Sequence, residues 1–166
     1  MKTADVIIVG SGASGLFNAL FLPQDYKVIV ITKKEVEESD SFLAQGGISA
    51  LKNPEDYDSY FEDTMKAGHY ENDKGAVEKM IKESPQIIQD LKDFGVRFDL
   101  KDGEIEFTRE GGHSTFRILH HEDLTGKEIT SHLYEEAKKR DNITIMENCT
   151  MIDIIEKDGE CKGIVI

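Results

Sequence analysis

Apolar runs and one amphipathic stretch organise the first part of the chain. Val6-Ile7-Ile8-Val9 is a continuous apolar run that predicts a short strand. An apolar helical face follows and ends at Pro23; it comprises Leu16, Ala19, Leu20 and Leu22. A second β-branched run, Val28-Ile29-Val30-Ile31, comes next. This order of strand, helix and strand predicts a βαβ unit over residues 4–32.

The middle of the chain changes character. Residues 35–40 form a polar stretch that has no clear period, so we interpret them as a loop. Helical periodicity then predicts helices over Asp56–Ala67 and Lys74–Glu83. Ser84 and Pro85 predict a break and a new helix, because serine is a good cap and proline favours the first helical turn.

The new helix is expected to stop at Gly95. Beyond it, Asp102-Gly103 predicts the turn of a small hairpin between residues 96–100 and 104–107. We therefore interpret residues 51–124 as a helical and hairpin insertion.

The last part, residues 125–166, returns to alternating helix and strand. A helical stripe of Ile129, Leu133 and Ala137 leads to Asn142–Met146, which predicts a third parallel strand. Residues 151–156 and 162–166 predict an antiparallel pair around Asp158-Gly159. Because the last strand has no following turn, we expect the chain to be truncated.

A glycine-rich segment, Gly10-Ser11-Gly12-Ala13-Ser14-Gly15, follows the first strand directly. In dinucleotide-binding folds the first glycine makes the strand-to-helix turn, the second lets backbone N–H groups approach the pyrophosphate, and the third packs helix on strand. The helix N-terminus then attracts the anion. Together with the predicted elements, this motif indicates an α/β, Rossmann-like fold with a parallel sheet, a helical and loop insertion, and the start of an antiparallel β-meander.

The spacing alone leaves the dinucleotide open. NAD-binding versions of this fold place an acidic residue at the end of the second strand, about 20 residues after the glycine turn, to hold the ribose hydroxyls. Thr32-Lys33 occupies that place here. A lysine there suits the 2′-phosphate of NADP, and it equally suits FAD.

Composition excludes several classes of protein. With 166 residues the chain is long enough for about one domain, and its net charge of −13 argues against nucleic-acid binding. The N-terminus has too short an apolar run for a signal peptide, and no stretch approaches a membrane span. We therefore expect a cytoplasmic protein. Cys149 and Cys161 lack the spacing of a zinc site or a disulfide framework, so we expect two buried thiols.

Two further segments carry candidate chemistry. Residues 41–48, Ser-Phe-Leu-Ala-Gln-Gly-Gly-Ile, bring backbone donors and acceptors close together, as a surface for a flat polar ring requires. His120-His121 suggests metal ligation, but adjacent residues point apart on a strand and no third ligand is suitably spaced. We predict no metal site.

Four features decide between the dinucleotides by resemblance. The N-terminal strand and glycine turn, Val-Ile-Thr-Lys at 30–33, the segment 41–48 and Thr-Arg-Glu-Gly-Gly-His-Ser at 108–114 together resemble the L-aspartate oxidase family. That family is part of the succinate dehydrogenase and fumarate reductase flavoprotein superfamily. The similarity spans essentially all 166 residues, and it implies an FAD-binding domain whose flavin loop is residues 33–50.

The resemblance implies the following cofactor contacts. The glycine turn would bind the FAD pyrophosphate, Thr32 and Lys33 would lie by the adenosine ribose, and Met151 and Ile152 would offer backbone groups to the adenine. The flavin side would be wrapped by Asp40, Ser41, Phe42, Leu43, Ala44, Gln45, Gly46 and Gly47. Quinone-linked members carry a histidine that bonds covalently to the flavin where this chain has Asp40. A carboxylate cannot form that linkage, so we predict noncovalent FAD.

The resemblance also implies a reaction. Members move a hydride between the flavin, which carries the redox chemistry, and a C4 dicarboxylate. For L-aspartate the product is iminoaspartate, oxygen or fumarate reoxidises the flavin, and the product feeds quinolinate and NAD synthesis, which makes quinolinate synthase an expected partner. Glu110 would orient L-aspartate by pairing with the α-ammonium group of the substrate. The simpler interpretation is that Glu110 is an exposed glutamate paired with Arg109.

The resemblance implies that the family's main catalytic arginine and histidines lie in a capping domain, which we expect to be absent from this chain. We therefore expect little turnover from the chain alone. Three alternatives stay open: a soluble fumarate reductase or succinate dehydrogenase flavoprotein, a noncatalytic nucleotide-binding module, and an NAD dehydrogenase.

Overall fold

The predicted order of strand, helix and strand opens the structure. A computed structural model describes residues 2–166. In chain order the elements are β1 (Val6–Val9), α1 (Ala13–Phe21), β2 (Val28–Ile31), a 3₁₀ turn (Val36–Glu38), α2 (Asp40–Leu43), β3 (Ile48–Ser49), a second 3₁₀ turn (Pro54–Asp56), α3 (Tyr57–Ala67), α4 (Lys74–Asp93), β4 (Leu100–Lys101), β5 (Glu104–Ile105), β6 (Phe107–Thr108), β7 (Ile118–Leu119), α5 (Thr125–Lys138), β8 (Ile143–Met146), β9 (Asp153–Lys157) and β10 (Glu160–Val165).

Contacts within the chain divide it into two compact units. The first unit runs up to Ala44 and resumes at Gly126, and the second unit is Gln45–Thr125.

A parallel sheet is the centre of the first unit. Its strand order is β1-β2-β8, so the third parallel strand predicted from the sequence is confirmed. All four residues of β2 are buried, and Val28 and Val30 pack with Ala19 of α1. Leu133 and Ala137, the predicted stripe of α5, are fully buried. Because the strands are parallel, their carboxyl ends lie at one edge of the sheet.

The predicted antiparallel pair is confirmed as β9 and β10, joined at Asp158 and Gly159, which both have positive φ. Every residue of β9 is exposed. Cys161 of β10 is exposed as well, and Cys149 in the loop after β8 is only half-buried. The prediction of two buried thiols is therefore wrong, because neither cysteine lies on an element that is packed on both faces.

The second unit combines two helices with short antiparallel strands. Its sheet has the order β3-β7-β6, and Tyr60 and Met65 of α3 pack with Val77 and Ile81 of α4. The hairpin predicted at Asp102-Gly103 forms, but it pairs only β4 with β5. Phe107, which was expected to extend the hairpin, instead pairs with Leu119 of β7.

The predicted break at Ser84 and Pro85 is wrong, because α4 continues through both residues and ends before Gly95. Proline has no N–H for the carbonyl of Ile81, four residues earlier. The Ser84 hydroxyl donates to that carbonyl instead, over 2.7 Å, and accepts from the N–H of Leu51 at 2.8 Å. Serine therefore supports the helix here rather than capping a new one.

Candidate functional site

A cleft of about 700 Å³ opens at the carboxyl ends of the parallel strands in the first unit. Its walls come from the segments that leave β1 and β2, from the 3₁₀ turn and the start of α2, and from the loop after β8. The lining residues are Val9, Gly10, Ser11, Gly12, Ile31, Thr32, Lys33, Lys34, Glu35, Glu38, Ser39, Asp40, Ser41, Cys149, Thr150 and Met151.

The glycine turn has the geometry that its sequence predicts. Gly10 has φ +115°, a backbone conformation that side chains rarely tolerate, and its N–H donates to the carbonyl of Ile31 at 2.8 Å. A Cβ on Gly15 would lie 2.0 Å from the carbonyl oxygen of Gly10. The third glycine is therefore required by the close packing of α1 against the end of β1.

The start of α1 presents unused hydrogen-bond donors. Gly12 is the N-cap and supplies no side-chain hydrogen bond to the first turn, which contains no acidic residue. The first N–H groups of a helix have no intrahelical partner and carry a partial positive charge. The first turn of α1 therefore suits an anion.

Ser11 supplies an independent sign of a ligand. This residue is 2% exposed, it lines the cleft, and its Oγ has no hydrogen-bond partner within residues 2–166. Buried hydroxyls are normally paired, since an unpaired one is costly. A Cβ on the neighbouring Gly12 would lie 2.8 Å from Oγ of Ser41, in space that the glycine leaves free. These residues fit a dinucleotide pyrophosphate.

The end of β2 forms the second part of the cleft. The N–H of Cys149 donates to the carbonyl of Thr32 at 2.9 Å, which ties the loop after β8 to the ribose position of this fold. Lys34 is paired with Glu38 at 2.7 Å, and this hydrogen bond raises the pKa of Lys34. Lys33 makes no ion pair with any residue from 2 to 166, and its exposed side chain remains available to a ligand.

The structure brings together eight of the residues predicted to contact the cofactor: Gly10, Ser11, Gly12, Thr32, Lys33, Asp40, Ser41 and Met151. The remaining ones do not line the cleft; they are Ala13, Ser14, Gly15, Phe42, Leu43, Ala44, Gln45, Gly46, Gly47 and Ile152. The N–H of Ile152 donates to Val165 within the β9–β10 region. Gln45, Gly46 and Gly47 fall in the second unit. Cys149 and Thr150 also line the cleft, and the sequence did not predict them, since a loop after a strand carries no periodic signal.

Glu110 has a defined anchor in the second unit. Its Oε1 accepts a hydrogen bond from the N–H of Gly47 at 3.2 Å, and the residue is otherwise exposed. Arg109 does not pair with it; the guanidinium lies over the ring of Phe116, 5.7 Å from the centroid. The simpler interpretation, an Arg109–Glu110 pair, is therefore wrong. The carboxylate is held by the backbone of the glycine segment instead.

A buried charge network supports the segment that follows Glu110, and sequence reasoning missed it. Arg117 is fully buried and donates to both oxygens of Asp56 at 2.8 Å and to Asp63 Oδ2 at 2.6 Å. The N–H and hydroxyl of Ser114 also donate to Asp63. The hydrogen bond from Arg117 holds the pKa of Asp56 far below its ordinary value. Burial opposes ionisation of Asp63, yet the hydrogen bonds from Ser114 and Arg117 outweigh it and lower its pKa.

His113 is oriented by the same arginine. Nη1 of Arg117 lies 3.1 Å from Nδ1 of His113. A guanidinium only donates, so Nδ1 is the acceptor and a neutral ring carries its proton on Nε2. His113 also borders a cavity of about 470 Å³ together with Asp63, Lys66 and His69.

The two adjacent histidines share one partner. Nδ1 of His120 and Nδ1 of His121 lie 3.1 Å and 3.4 Å from the carboxylate of Asp99. His120 and His121 do not point apart on a strand as predicted, because β7 ends at Leu119. Within residues 2–166 no group of three or more His, Cys, Asp or Glu side chains is arranged to hold a metal ion. None of the helices in this range is long and apolar enough to cross a membrane.

Known proteins resemble the chain over almost its whole length. It is 43% identical over 162 residues to an L-aspartate oxidase of Clostridium perfringens, and 46% identical over 160 residues to one of Clostridium acetobutylicum. These matches cover 98% and 96% of the chain, which spans only 37% of the length of each relative.

Solved structures show the same fold. Sdh1 of Mycobacterium smegmatis, in complex with UQ1, matches with a TM-score of 0.86 and 28% identity, over 98% of this chain and 30% of that one. The FrdA chain of an E. coli quinol fumarate reductase variant matches with a TM-score of 0.91 and 25% identity, over 97% of this chain and 28% of that one.

The match to a protein family agrees with the cleft. Residues 5–166 match the family described as FAD binding domain, and this range includes the glycine turn, the end of β2 and the loop after β8. The chain belongs to this family of FAD-binding domains.

Proposed function

We propose that this chain is the dinucleotide-binding part of an FAD-dependent L-aspartate oxidase, which converts L-aspartate to iminoaspartate. The observation that carries the proposal is the anchored carboxylate of Glu110 in a chain 43–46% identical to two L-aspartate oxidases. Bound FAD supplies a two-electron acceptor. The residues of this chain hold that cofactor and recognise the amino acid.

Different residues of the cleft would contact different parts of the cofactor. The first turn of α1 and the Ser11 hydroxyl would donate to the pyrophosphate, where the helix charge is favourable. Thr32, Lys33 and the backbone around Met151 would hold the adenosine part. The resemblance assigns residues 40–47 to the flavin side.

Asp40 makes the attachment of FAD noncovalent, because its carboxylate cannot form a histidyl linkage to the flavin. Acid precipitation tests this directly. All flavin absorbance is expected in the supernatant, and flavin that pellets with the polypeptide would contradict the proposal.

Glu110 distinguishes L-aspartate from succinate by charge. One oxygen of its carboxylate is held by Gly47, and the side chain is exposed, so it can accept a hydrogen bond from an α-ammonium group. Succinate has no such cation and would bring only further negative charge. A charge-assisted hydrogen bond of this kind contributes about 1.5–3 kcal/mol.

The experiment uses the natural polypeptide that contains this chain. Glu110→Gln is expected to lower kcat/KM for L-aspartate about 10- to 100-fold, as that free energy implies, and to leave the small activity with succinate unchanged or raised. Glu104→Gln, at an exposed position of β5, is the matched control. Equal losses with both substrates would contradict the role of Glu110. Turnover of succinate but not L-aspartate would favour a fumarate reductase or succinate dehydrogenase instead.

The same proposal includes the electron acceptor, the remaining substrate contacts and the enzyme that uses the product. Oxygen or fumarate would accept the electrons, and the residues that clamp the dicarboxylate would come from outside this chain, so the chain alone would have little turnover. Iminoaspartate hydrolyses in water, which favours a nearby consumer in the cytoplasm. Quinolinate synthase is the consumer that we propose, and co-purification of the two enzymes is the test.

A further inference from the structure

Cys149 occupies an unusual place for a thiol that no part of the proposed reaction uses. It is half-buried, it lines the nucleotide cleft, and its N–H is fixed to the carbonyl of Thr32 at 2.9 Å. Thr32 marks the end of β2, which in this fold lies beside the ribose of a bound dinucleotide. Cys149 therefore lies in the wall that the adenosine part would contact.

An independent observation shows that the same cleft is built for a ligand. Ser11, 2% exposed and without a hydrogen-bond partner within residues 2–166, lines it together with Cys149. The other cysteine, Cys161, is exposed on β10 and does not line this cleft. The chain thus contains two thiols that differ in whether a ligand in the cleft would cover them.

We propose that Cys149 is a thiol-modification site that competes with the dinucleotide: an adduct on its Sγ and a bound FAD exclude each other. This inference rests on the proposed FAD site and adds a point at which binding is controlled. The ligand class is a thiol-directed electrophile that is small enough to enter the cleft.

The chemistry needs no redox partner when N-ethylmaleimide is the probe. The sulfur of Cys149 forms a bond to one alkene carbon of the maleimide, and the thiol proton passes to the buffer. The other alkene carbon takes a proton from water. The adduct then fills space beside Thr32 that the adenosine part would otherwise occupy.

Trypsin separates the two thiols, which makes the test internally controlled. Cleavage after Arg140 and Lys157 gives a peptide, residues 141–157, that contains Cys149, and cleavage after Lys162 gives residues 158–162 with Cys161. The natural polypeptide is freed of flavin and treated with N-ethylmaleimide with and without saturating FAD. Mass spectrometry follows the labelling of each peptide, and flavin fluorescence measures binding separately.

FAD is expected to slow labelling of Cys149 at least tenfold and to leave Cys161 unchanged. Binding of FAD with no change at Cys149 would overturn this inference and leave the FAD site intact. Failure of FAD to bind the unlabelled protein would overturn the FAD site, and this inference with it.

Two variants test the reverse effect. For each variant the affinity for FAD is measured before and after N-ethylmaleimide treatment, so that only the ratio matters. The Cys161→Ser variant is expected to lose at least tenfold in affinity on treatment, whereas Cys149→Ser is expected to lose less than twofold. The same loss in both variants would contradict the assignment to Cys149.

Discussion

Arg117 and Asp56 form a bidentate ion pair, with Nε to Oδ2 and Nη2 to Oδ1 both at 2.8 Å and the arginine side chain fully buried. The pair joins the residue that precedes β7 to the N-cap of α3. Removing one member of a buried pair leaves the other charge under-compensated. The ion pair between Arg117 and Asp56 therefore stabilises the second unit.

The Asp56→Asn variant removes the charge and keeps the size of the side chain. We expect the free energy of unfolding to fall by about 2–4 kcal/mol, somewhat less than complete loss of a buried partner, because Asp63 still faces Arg117. Urea denaturation measures the change. Asp58→Asn, at an exposed position in the first turn of α3, is the control and is expected to lose less than about 1 kcal/mol. Equal losses would show that the buried pair is not stabilising.

Acid should weaken the second unit through the same carboxylates. Folding lowers the pKa values of Asp56 and Asp63, so the unfolded chain binds more protons than the folded one in acid. Their contribution is complete above the unfolded pKa of about 4 and is lost as the pH falls below it. Urea midpoints measured between pH 6 and pH 3 are expected to decrease most steeply below pH 4.

The Asp56→Asn variant also serves as the control for this pH dependence. It lacks one of the two carboxylates, so its urea midpoint is expected to change less than that of the unsubstituted protein over the same pH range. Parallel curves would mean that the acid sensitivity arises elsewhere.

Local patterns were sufficient to predict the strands and the glycine turn that border the cleft, but not its complete lining. Strands β1 and β2 are short apolar runs. The turn after β1 needs a residue with positive φ, and the motif places glycine there: Gly10 has φ +115°. These features depend on neighbours in sequence. Cys149 enters the cleft through a hydrogen bond to Thr32, 117 positions earlier, and no spacing rule indicates such a contact.

The ion pair that supports the segment after Glu110 could not be predicted from the sequence for the same reason. Arg117 lies 61 positions from Asp56, and a lone arginine before an apolar pair has no signature of burial. The predicted break at Pro85 failed differently. A local rule about proline was correct in general, but the hydroxyl of Ser84 replaced the missing donor.

Gly15→Ala tests the close packing of α1 against the glycine turn. A Cβ at this position would lie 2.0 Å from the carbonyl oxygen of Gly10, so α1 must move. We expect a loss of stability of about 1–3 kcal/mol, as overpacking produces, and at least tenfold weaker FAD binding, because the first turn of α1 shifts. Urea denaturation and flavin fluorescence measure the two effects.

Gly75→Ala is the control for that substitution. Gly75 lies in the first turn of α4, where the nearest atom to a new Cβ is Oδ1 of the N-cap Asp73, at 3.3 Å rather than 2.0 Å. Alanine is the better helix former by about 1 kcal/mol. Stability is therefore expected to stay the same or rise. If Gly15→Ala behaved in the same way, the packing argument would be wrong.

Ser84 and Pro85 together offer a test of how α4 tolerates its proline. Ser84→Ala removes the donor to the carbonyl of Ile81 and the acceptor for the N–H of Leu51, and we expect it to destabilise the protein by about 1–3 kcal/mol. Adding Pro85→Ala restores a backbone N–H that can donate to Ile81. The double variant should therefore recover part of the stability that Ser84→Ala loses. The loss that remains is the cost of leaving the N–H of Leu51 without its acceptor. A double-mutant cycle in urea measures this coupling; strictly additive effects would show that the hydroxyl does not substitute for the missing N–H.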